Sequence, residues 1–478
     1  MNKIIKACCV GGAILGMMAS CTADFEEINQ NPKAITFDAS TPEPLMVNAI
    51  WGIAGNFLNG DNAGLLISHQ VAEEQYANAS IYNIQPDNLG SNWADIYINL
   101  RRLKEVRQSL DQQKEKFPES FTEGKYEAYE GVIAVMEVLL WHTATDIFGA
   151  MPYEQALDIT NIRPAYSTQK EIYLGLFERL DTAIGALQAA EAVNVYGSSD
   201  LIYGGDNTLW LRFANSLKLR MAVRISDTEE AALAKTKAQE AVSAGVMQSN
   251  ADNARFPYVP ASQMNPIYSK RLNRSDVFPS DILVNQLVAF NDPRLSAYVE
   301  QGSSGYVGAQ FGIANNFDEQ YADFSSDIIA GAGDFPGFVM DYAEVAFLLA
   351  EAAHKNMISG DVQAYYEAGV NASVESWTGA DAAAYLAEAD VAFDAANAEE
   401  QIALQKWLSL YLNGWEAWAE QRRTGIPTPI PSINGLNYPL RLVYPTSETT
   451  LNAENYQAAV DQTLGGKDQQ DVALWWVQ

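Results

Sequence analysis

Apolar residues recur at intervals of three and four along most of the chain, which is the spacing of one buried face of an α-helix. Helical patterns therefore dominate the sequence. The predicted helical stretches are 44–75 (interrupted near 59–61), 92–113, 123–145, 170–190, 207–225, 229–244, 342–357 and 363–376. This pattern predicts a mostly α protein.

The stretch 342–376 is the clearest helical hairpin. Tyr342, Ala346 and Leu349 fall on one side of its first helix. Gly360 suits the C-terminal cap of that helix, and Asp361 suits the N-cap of the next. Small alanine side chains let the two helices approach closely. The hairpin is similar to a tetratricopeptide (TPR) unit, although the strict TPR signature and a fixed repeat period are absent.

Three long stretches lack helical periodicity, namely 256–273, 301–337 and 426–450. They are rich in proline or in glycine, serine, asparagine and aromatic residues. Irregular loops longer than about 15 residues are usually functional. The sequence therefore predicts a TPR-like helical-hairpin scaffold overlain by an irregular, loop-rich ligand-binding layer.

The N-terminus has the layout of a bacterial lipoprotein signal. Lys3 and Lys6 form a basic start, residues 7–19 are apolar, and small residues precede Cys21. Cleavage before Cys21 would leave a lipidated cysteine, and two anchoring acyl chains suffice for stable attachment. We therefore expect a signal peptide at 1–20, a lipidated N-terminus and tether at 21–43, and a single domain at 44–478. Membrane attachment is expected through the lipid alone.

The charge and the cysteines exclude several classes of function. The net charge is −30, and removal of Lys3 and Lys6 with the signal makes it −32. Such a field repels phosphate backbones, so nucleic acid is not an expected partner. Cys8 and Cys9 leave with the signal and Cys21 carries lipid, so the mature chain has neither a disulfide nor a thiolate metal site.

Catalytic and cofactor motifs are absent from the sequence. It contains no G-x-S-x-G elbow, no P-loop, no G-x-G-x-x-G and no EF-hand loop. His69, His142 and His354 have no metal-ligand spacing, and His142 is expected to be a satisfied, partly buried histidine. No cofactor and no marked metal site are expected. A structural calcium held by loop carboxylates stays open.

Two side-chain stripes have both a structural and a functional interpretation. The cations of helix 207–225 are Arg212, Lys218, Arg220 and Arg224. Ion pairs with carboxylates of neighbouring helices are the favoured interpretation of these cations, with a cationic ligand patch as the alternative. The aromatic stripe comprises Trp407, Tyr411, Trp415 and Trp418. Its helical spacing favours a place in the core.

Several segments together resemble the SusD/RagB family of outer-membrane nutrient-binding lipoproteins, and the arrangement is most similar to its second SusD-like subfamily. The matching segments in chain order are 25–32 (FEEINQNP), 93–97 (WADIY), 145–153 (TDIFGAMPY), 213–220 (FANSLKLR), 291–295 (NDPRL), 344–353 (EVAFLLAEAA), 405–407 (QKW) and 418–425 (WAEQRRTG). Tyr444-Pro445, Glu448 and Trp475-Trp476 close the series. One such segment would mean little, but their shared order behind a lipoprotein signal is specific.

The resemblance implies a binding protein rather than an enzyme. It implies a SusC-like, TonB-dependent outer-membrane barrel as partner, with the lipoprotein as a lid over it. Asp24, Glu26 and Glu27 resemble the family's surface-export signal, so the implied location is the outer membrane, facing the cell exterior. The expected cargo is an oligosaccharide, with an oligopeptide still open. A surface glycan hydrolase using a carboxylate pair and a structural adaptor without its own ligand are the alternatives.

The ligand site must be argued from chemistry, because most of the matched segments belong to the scaffold. Sugars present flat C–H faces to aromatic rings and hydroxyls to polar side chains. Two loops, 76–93 and 305–324, combine both kinds of residue. The candidate ligand contacts are Tyr82, Asn83, Asp87, Tyr306, Phe311, Phe317 and Tyr321.

Overall fold

The computed structural model describes residues 40–60, 63–86, 90–121, 124–274, 276–313 and 321–477. Pro42–Gln478 forms one compact unit. The expected signal peptide and most of the expected tether lie outside the described residues, so the predicted boundaries at 20/21 and 43/44 stay predictions.

Helices make up about 54% of the protein and strands about 6%, which confirms the mostly α prediction. The helices are α1 (Pro42–Ile50), α2 (Ala63–Ile67), α3 (Gly90–Lys116), α4 (Lys125–Phe148), α5 (Gln169–Ala189), α6 (Asn207–Arg224), α7 (Ala231–Ala244), α8 (Pro266–Arg271), α9 (Asp281–Ala289), α10 (Leu295–Tyr298), α11 (Ser326–Ile329), α12 (Tyr342–His354), α13 (Val362–Thr378), α14 (Ala398–Ser409), α15 (Gly414–Thr424), α16 (Thr446–Leu451) and α17 (Ala453–Thr463). Trp51–Leu58 continues α1 as a π-helix.

The scaffold is built from helices that pack in sequential pairs. The closest pairs are α4 with α5, α6 with α7, and α12 with α13, and α3 packs against both α1 and α4. Local sequence explains where the helices begin: Thr168 and Glu171 form a capping box at α5, and Asp206 accepts two backbone N–H bonds at α6. Helix α4 has the length and hydropathy of a membrane span, but 89% of its most apolar window is buried inside the protein.

The hairpin of α12 and α13 confirms one predicted cap and corrects the other. Asp361 accepts a hydrogen bond from the Ala364 N–H, as an N-cap should. Gly360 is not the left-handed C-cap, because α12 already ends at His354 and Asn356 takes the left-handed conformation with φ 56°. Gly360 is needed for a different reason: a Cβ there would lie 2.3 Å from the Tyr365 ring.

Short antiparallel strand pairs organise the loop-rich layer. They are β1 (Val71–Glu73) with β3 (Val277–Pro279), β2 (Ala254–Phe256) with β6 (Gly337–Met340), and β4 (Val299–Glu300) with β5 (Asp323–Phe324). The predicted helix 44–75 was therefore wrong at its C-terminal end. Val71, Ala72 and Glu73 are all buried, and periodicity cannot distinguish a short buried strand from a buried helix turn.

The cationic stripe of α6 is structural. Each cation pairs with a carboxylate on another element: Arg212 with Asp252 (2.8 Å), Lys218 with Asp181 (2.6 Å), Arg220 with Glu344 (2.6 Å) and Arg224 with Asp146 (3.1 Å). The favoured sequence interpretation is confirmed, and none of these four cations is free to form a ligand patch.

The aromatic stripe is buried as predicted, but it spans two helices. Trp407 lies on α14, whereas Trp415 and Trp418 lie on α15, and all three are buried. Leu412 between the helices has φ 69°, which breaks the helical path.

The C-terminal segment packs into the core through Trp476, which contacts residues of α4, α6 and α15. Trp476 is buried, and its indole N–H donates to Asp146 Oδ1 at 2.8 Å. The Arg224 and Arg422 guanidinium groups lie 5.2 and 4.9 Å from the Trp476 ring centroid. His142, also beside Asp146, is buried, and burial lowers its pKa to about 4. The expectation of a satisfied His142 was wrong, since neither ring nitrogen has a hydrogen-bond partner among the described residues.

Candidate functional site

The described structure contains five of the eight residues that the sequence singled out for function. Cys21, Asp87 and Phe317 lie outside the described residues, so their proposed roles stay predictions.

Tyr82, Phe311 and Tyr321 meet in one buried aromatic cluster within the loop-rich layer. They pack there with Ala72 and Ala309, and Tyr82 is only 1% exposed. The cluster ties the two predicted ligand loops together. These rings offer no open face in this structure, so a ligand could stack on them only if the cluster opened. Their role as ligand contacts stays a prediction.

A chain of hydrogen bonds runs from helix α15 to Tyr82. The Tyr438 hydroxyl donates to Gln421 Oε1 (2.7 Å), and Gln421 Nε2 donates to His69 Nδ1 (2.9 Å). Because Nδ1 accepts, the proton of a neutral His69 is assigned to Nε2, which donates to the Tyr82 hydroxyl (2.7 Å). Tyr82 in turn donates to the Ile430 carbonyl (2.8 Å). Every polar group of this buried chain of hydrogen bonds is thus satisfied. The bonds hold the buried side of the loop 76–86 in place.

Burial keeps His69 in its neutral form. It lowers the pKa of His69 to about 3 and raises that of Tyr82 above its ordinary value. The edge of the imidazole packs against Phe311, with ring centroids 4.5 Å apart. His69 is therefore a structural residue under the layer, and its protonation state stays constant over the physiological range of pH.

The loop 76–86 also carries exposed residues. We call them, together with Arg274, the Tyr76 patch, which consists of Tyr76, Asn78, Asn83, Gln85 and Arg274. Tyr76 is 74% exposed, and the Arg274 guanidinium carbon lies 4.9 Å from its ring centroid. Gln85 Nε2 donates to Asn83 Oδ1 at 2.8 Å, and Asn83 Nδ2 lies 3.5 Å from Asn78 Oδ1. One short loop thus carries an exposed aromatic ring, with Arg274 over it, and three exposed side-chain amides.

The backbone orients the Tyr76 patch. Tyr76 has φ 56°, a left-handed conformation that a bulky residue adopts only when its surroundings impose it. The Asn78 N–H donates to the Tyr76 carbonyl, and the Asn83 N–H donates to the Asn78 carbonyl. The loop therefore holds the ring and the amides on one short segment. The sequence had marked this loop and Asn83, but nothing in the local pattern distinguishes the exposed Tyr76 from the buried Tyr82.

A narrow cleft adjoins the patch at Arg274 and is too small for a sugar ring. Its lining includes Leu66, Val71 and Phe324, and its volume of about 40 Å³ is far below the roughly 300 Å³ at which ligand pockets begin. Tyr306, the remaining candidate, is half-buried against the core cluster of this side of the molecule. A ligand of this layer would therefore bind on its surface rather than inside a cavity.

No grouping of three or more histidine, cysteine or acidic side chains with metal-binding geometry occurs among the described residues. Acidic residues near the patch are engaged by cations, since Asp276 pairs with Arg274 and Asp323 with Arg271. The part of the chain that the structure describes therefore gives no support to a calcium site.

The packed helical pairs and the loop layer define a TPR-like helical scaffold with an irregular outer layer. The chain belongs to the SusD-like family: the profile of its second subfamily, described as starch-binding and associating with the outer membrane, matches residues 32–445. The family is one of nutrient-binding, outer-membrane-associated proteins. The resemblance inferred from the sequence motifs is confirmed.

Solved structures agree with this assignment. A chitin-binding protein superposes with a TM-score of 0.80 at 25% identity, covering 92% of this chain and 100% of its own. A chitin-binding SusD homologue from Flavobacterium johnsoniae gives a TM-score of 0.78 at 26% identity, with 91% and 98% coverage. A SusD-like protein from Bacteroides thetaiotaomicron gives 0.78 at 28% identity, with 91% and 98% coverage. No curated protein matches the chain.

Proposed function

We propose that this protein is a non-enzymatic, lipid-anchored receptor that captures an oligosaccharide and passes it to a SusC-like, TonB-dependent barrel in the outer membrane. The observation that carries the proposal is the Tyr76 patch, in which one short loop carries an exposed aromatic ring and exposed side-chain amides. That combination suits the flat C–H face and the hydroxyl rim of a sugar. Capture is reversible and breaks no bond.

The patch favours a neutral or weakly charged glycan over an anionic one. Arg274 already pairs with Asp276, and the net charge of the chain is −30. Because two structural relatives are described as chitin-binding and the family description names starch, chitooligosaccharides and maltooligosaccharides are the first ligands to test.

Isothermal titration of the full chain against these two series and a panel of peptides tests the proposal. We expect binding to one glycan series. Tyr76→Ala should weaken it by about tenfold, because one aromatic contact contributes on the order of 1 kcal/mol or more. Asn83→Ala should weaken it through the lost amide contacts. Thr160→Ala, outside the loop-rich layer, is the matched control and should bind as wild type.

Two results would contradict the capture proposal. Binding of peptides alone would replace the glycan with an oligopeptide. Release of reducing ends from a glycan by the purified protein would instead favour the hydrolase. Retained glycan binding by Tyr76→Ala would move the site away from this patch and leave Tyr306 and the ring cluster as its candidates.

The lipid anchor has its own test. Cys21→Ala should release the protein from the membrane fraction while leaving its thermal unfolding unchanged. Wild-type protein serves as the reference for both measurements. Membrane fractionation that does not change on substitution would refute the anchor.

A further inference from the structure

The Arg274 guanidinium lies over one face of the Tyr76 ring. Its carbon is 4.9 Å from the ring centroid, a distance at which a cation is attracted to an aromatic face. Tyr76 is nevertheless 74% exposed. The exposed area therefore includes the face opposite Arg274, and a flat ligand can stack on the ring from that side only.

Asp276 fixes the position of this guanidinium. Arg274 donates through Nε to Asp276 Oδ1 (3.1 Å) and through Nη2 to Asp276 Oδ2. Exposed ion pairs contribute little to stability in general, but a two-pronged arginine–carboxylate pair has a defined geometry. The Asp276 side chain is only 4% exposed, so packing holds the acceptor in place. The guanidinium therefore has one defined place over the ring.

Backbone bonds join the segment of the cation to the loop 76–86. The Glu74 N–H donates to the Asp276 carbonyl at 2.8 Å, which extends the pairing of β1 with β3. The Glu73 N–H donates to the buried Ser80 Oγ at 3.2 Å and closes the base of the loop. The ring and the cation thus belong to two segments that are fixed relative to each other.

The contact with Arg274 restricts the side chain of Tyr76 before a ligand arrives. An exposed tyrosine without such a contact exchanges between staggered rotamers. A glycan would then have to order that side chain, which weakens the affinity by about twofold to tenfold. Tyr76 has less freedom to lose, because its left-handed backbone (φ 56°) and the cation on one face both limit the ring.

We infer that Arg274 is a positioning residue of the proposed glycan site, because it holds the Tyr76 ring with one face open to the sugar. Its effect on the affinity acts through Tyr76 and not through a bond of its own to the glycan. The inference rests on the proposed function, since Tyr76 is a glycan contact only in that proposal. Direct contact between Arg274 and the glycan is the competing role.

Isothermal titration of a double-mutant cycle separates the two roles. The probe is the chitooligosaccharide or maltooligosaccharide series that binds wild type, and the variants are Arg274→Met, Tyr76→Ala and their combination. We expect Arg274→Met to bind about threefold to tenfold more weakly than wild type. The combined variant should bind no more weakly than Tyr76→Ala alone, because Arg274 has no ring left to position.

Three further variants control the cycle. Arg274→Lys keeps a cation for the ring and should recover part of the loss. Arg274→Gln/Asp276→Asn removes both charges, so it leaves no uncompensated buried carboxylate, and it should lose as much affinity as Arg274→Met. Arg101→Met is the matched control, because it removes another exposed arginine from an ion pair, on α3 with Glu105, and it should bind as wild type.

The outcomes distinguish failure of this inference from failure of the proposed function. If Tyr76→Ala loses affinity while Arg274→Met binds as wild type, the positioning role is wrong and the glycan site stands. A further loss in the combined variant relative to Tyr76→Ala means that Arg274 contacts the glycan itself, which also overturns the inference. Wild type that binds neither series, or Tyr76→Ala that binds as wild type, overturns the proposed site and the inference together.

Discussion

Removal of the Asp292 carboxylate should expose how strongly this fold depends on buried charge. Arg294 is fully buried, and Asp292 accepts from its Nε (2.9 Å) and Nη2 (2.6 Å). The remaining guanidinium bonds go to Ser373 and Gln405 (2.9 and 2.8 Å), and the Tyr385 hydroxyl also donates to Asp292 (2.7 Å). Burial alone would lower the pKa of Arg294, but the Asp292 carboxylate outweighs it and holds that pKa well above its ordinary value.

The size of the effect follows from this geometry. Asp292→Ala leaves a buried cation without its counter-charge, which costs about 3–5 kcal/mol. For a folded unit of the size of Pro42–Gln478, the entropy of unfolding is about 0.9 kcal/mol/K. The melting temperature should therefore fall by about 3–5 °C.

Differential scanning calorimetry of three variants measures this prediction. Glu105→Ala is the control, because its pair with Arg101 is exposed and should shift the melting temperature by less than about 1 °C. Asp292→Ala/Arg294→Met removes both charges and should recover most of the loss. If Asp292→Ala melts within about 1 °C of wild type, or if the double variant melts lower than the single, the argument from uncompensated charge is wrong.

Two further predictions concern packing and pH. Gly64→Ala should lower the melting temperature, because its Cβ would lie 2.6 Å from the backbone carbonyl carbon of Gly414. In the control Gly185→Ala on α5, the new Cβ meets nothing within 4 Å, and the free energy of unfolding should rise by about 1 kcal/mol. Equal melting temperatures of the two variants would contradict the close contact between α2 and α15. Burial alone would raise the pKa of Glu416, but Arg224 and Arg220 outweigh it and bring that pKa to about 2. The stabilisation is therefore complete above the unfolded pKa of 4.5 and is lost as the pH falls towards 2. The stability advantage of wild type over Glu416→Gln, measured by denaturation at a series of pH values, should shrink in that window; an advantage that grows on acidification would reverse the sign of the argument.

The scaffold was predictable because its determinants are local. Caps such as Asp361 and the three-to-four spacing of apolar residues act within one or two turns, so the sequence shows them directly. The strand Val71–Glu73 was missed because its partner Val277–Pro279 lies about two hundred residues further along the chain. The break at Leu412 was missed because the aromatic spacing continues across it.

The sequence predicted which loops carry the candidate site, but it did not predict which residues of those loops are exposed. Tyr76 and Tyr82 are six residues apart and chemically identical, yet one is exposed and the other is buried. What separates them is a set of distant contacts: Tyr82 bonds to Ile430, 348 residues away, and His69 beneath it bonds to Gln421, 352 residues away. Local patterns do not contain such information.

The position of Trp476 has a consequence for the synthesis of the protein. The indole that covers Asp146 stands 330 residues later in the chain, so the centre of the scaffold stays open until this tryptophan has been translated. Until then, a nascent chain has a charged, half-assembled interior that is open to aggregation. Loss of the last few residues would leave that interior permanently accessible to proteases.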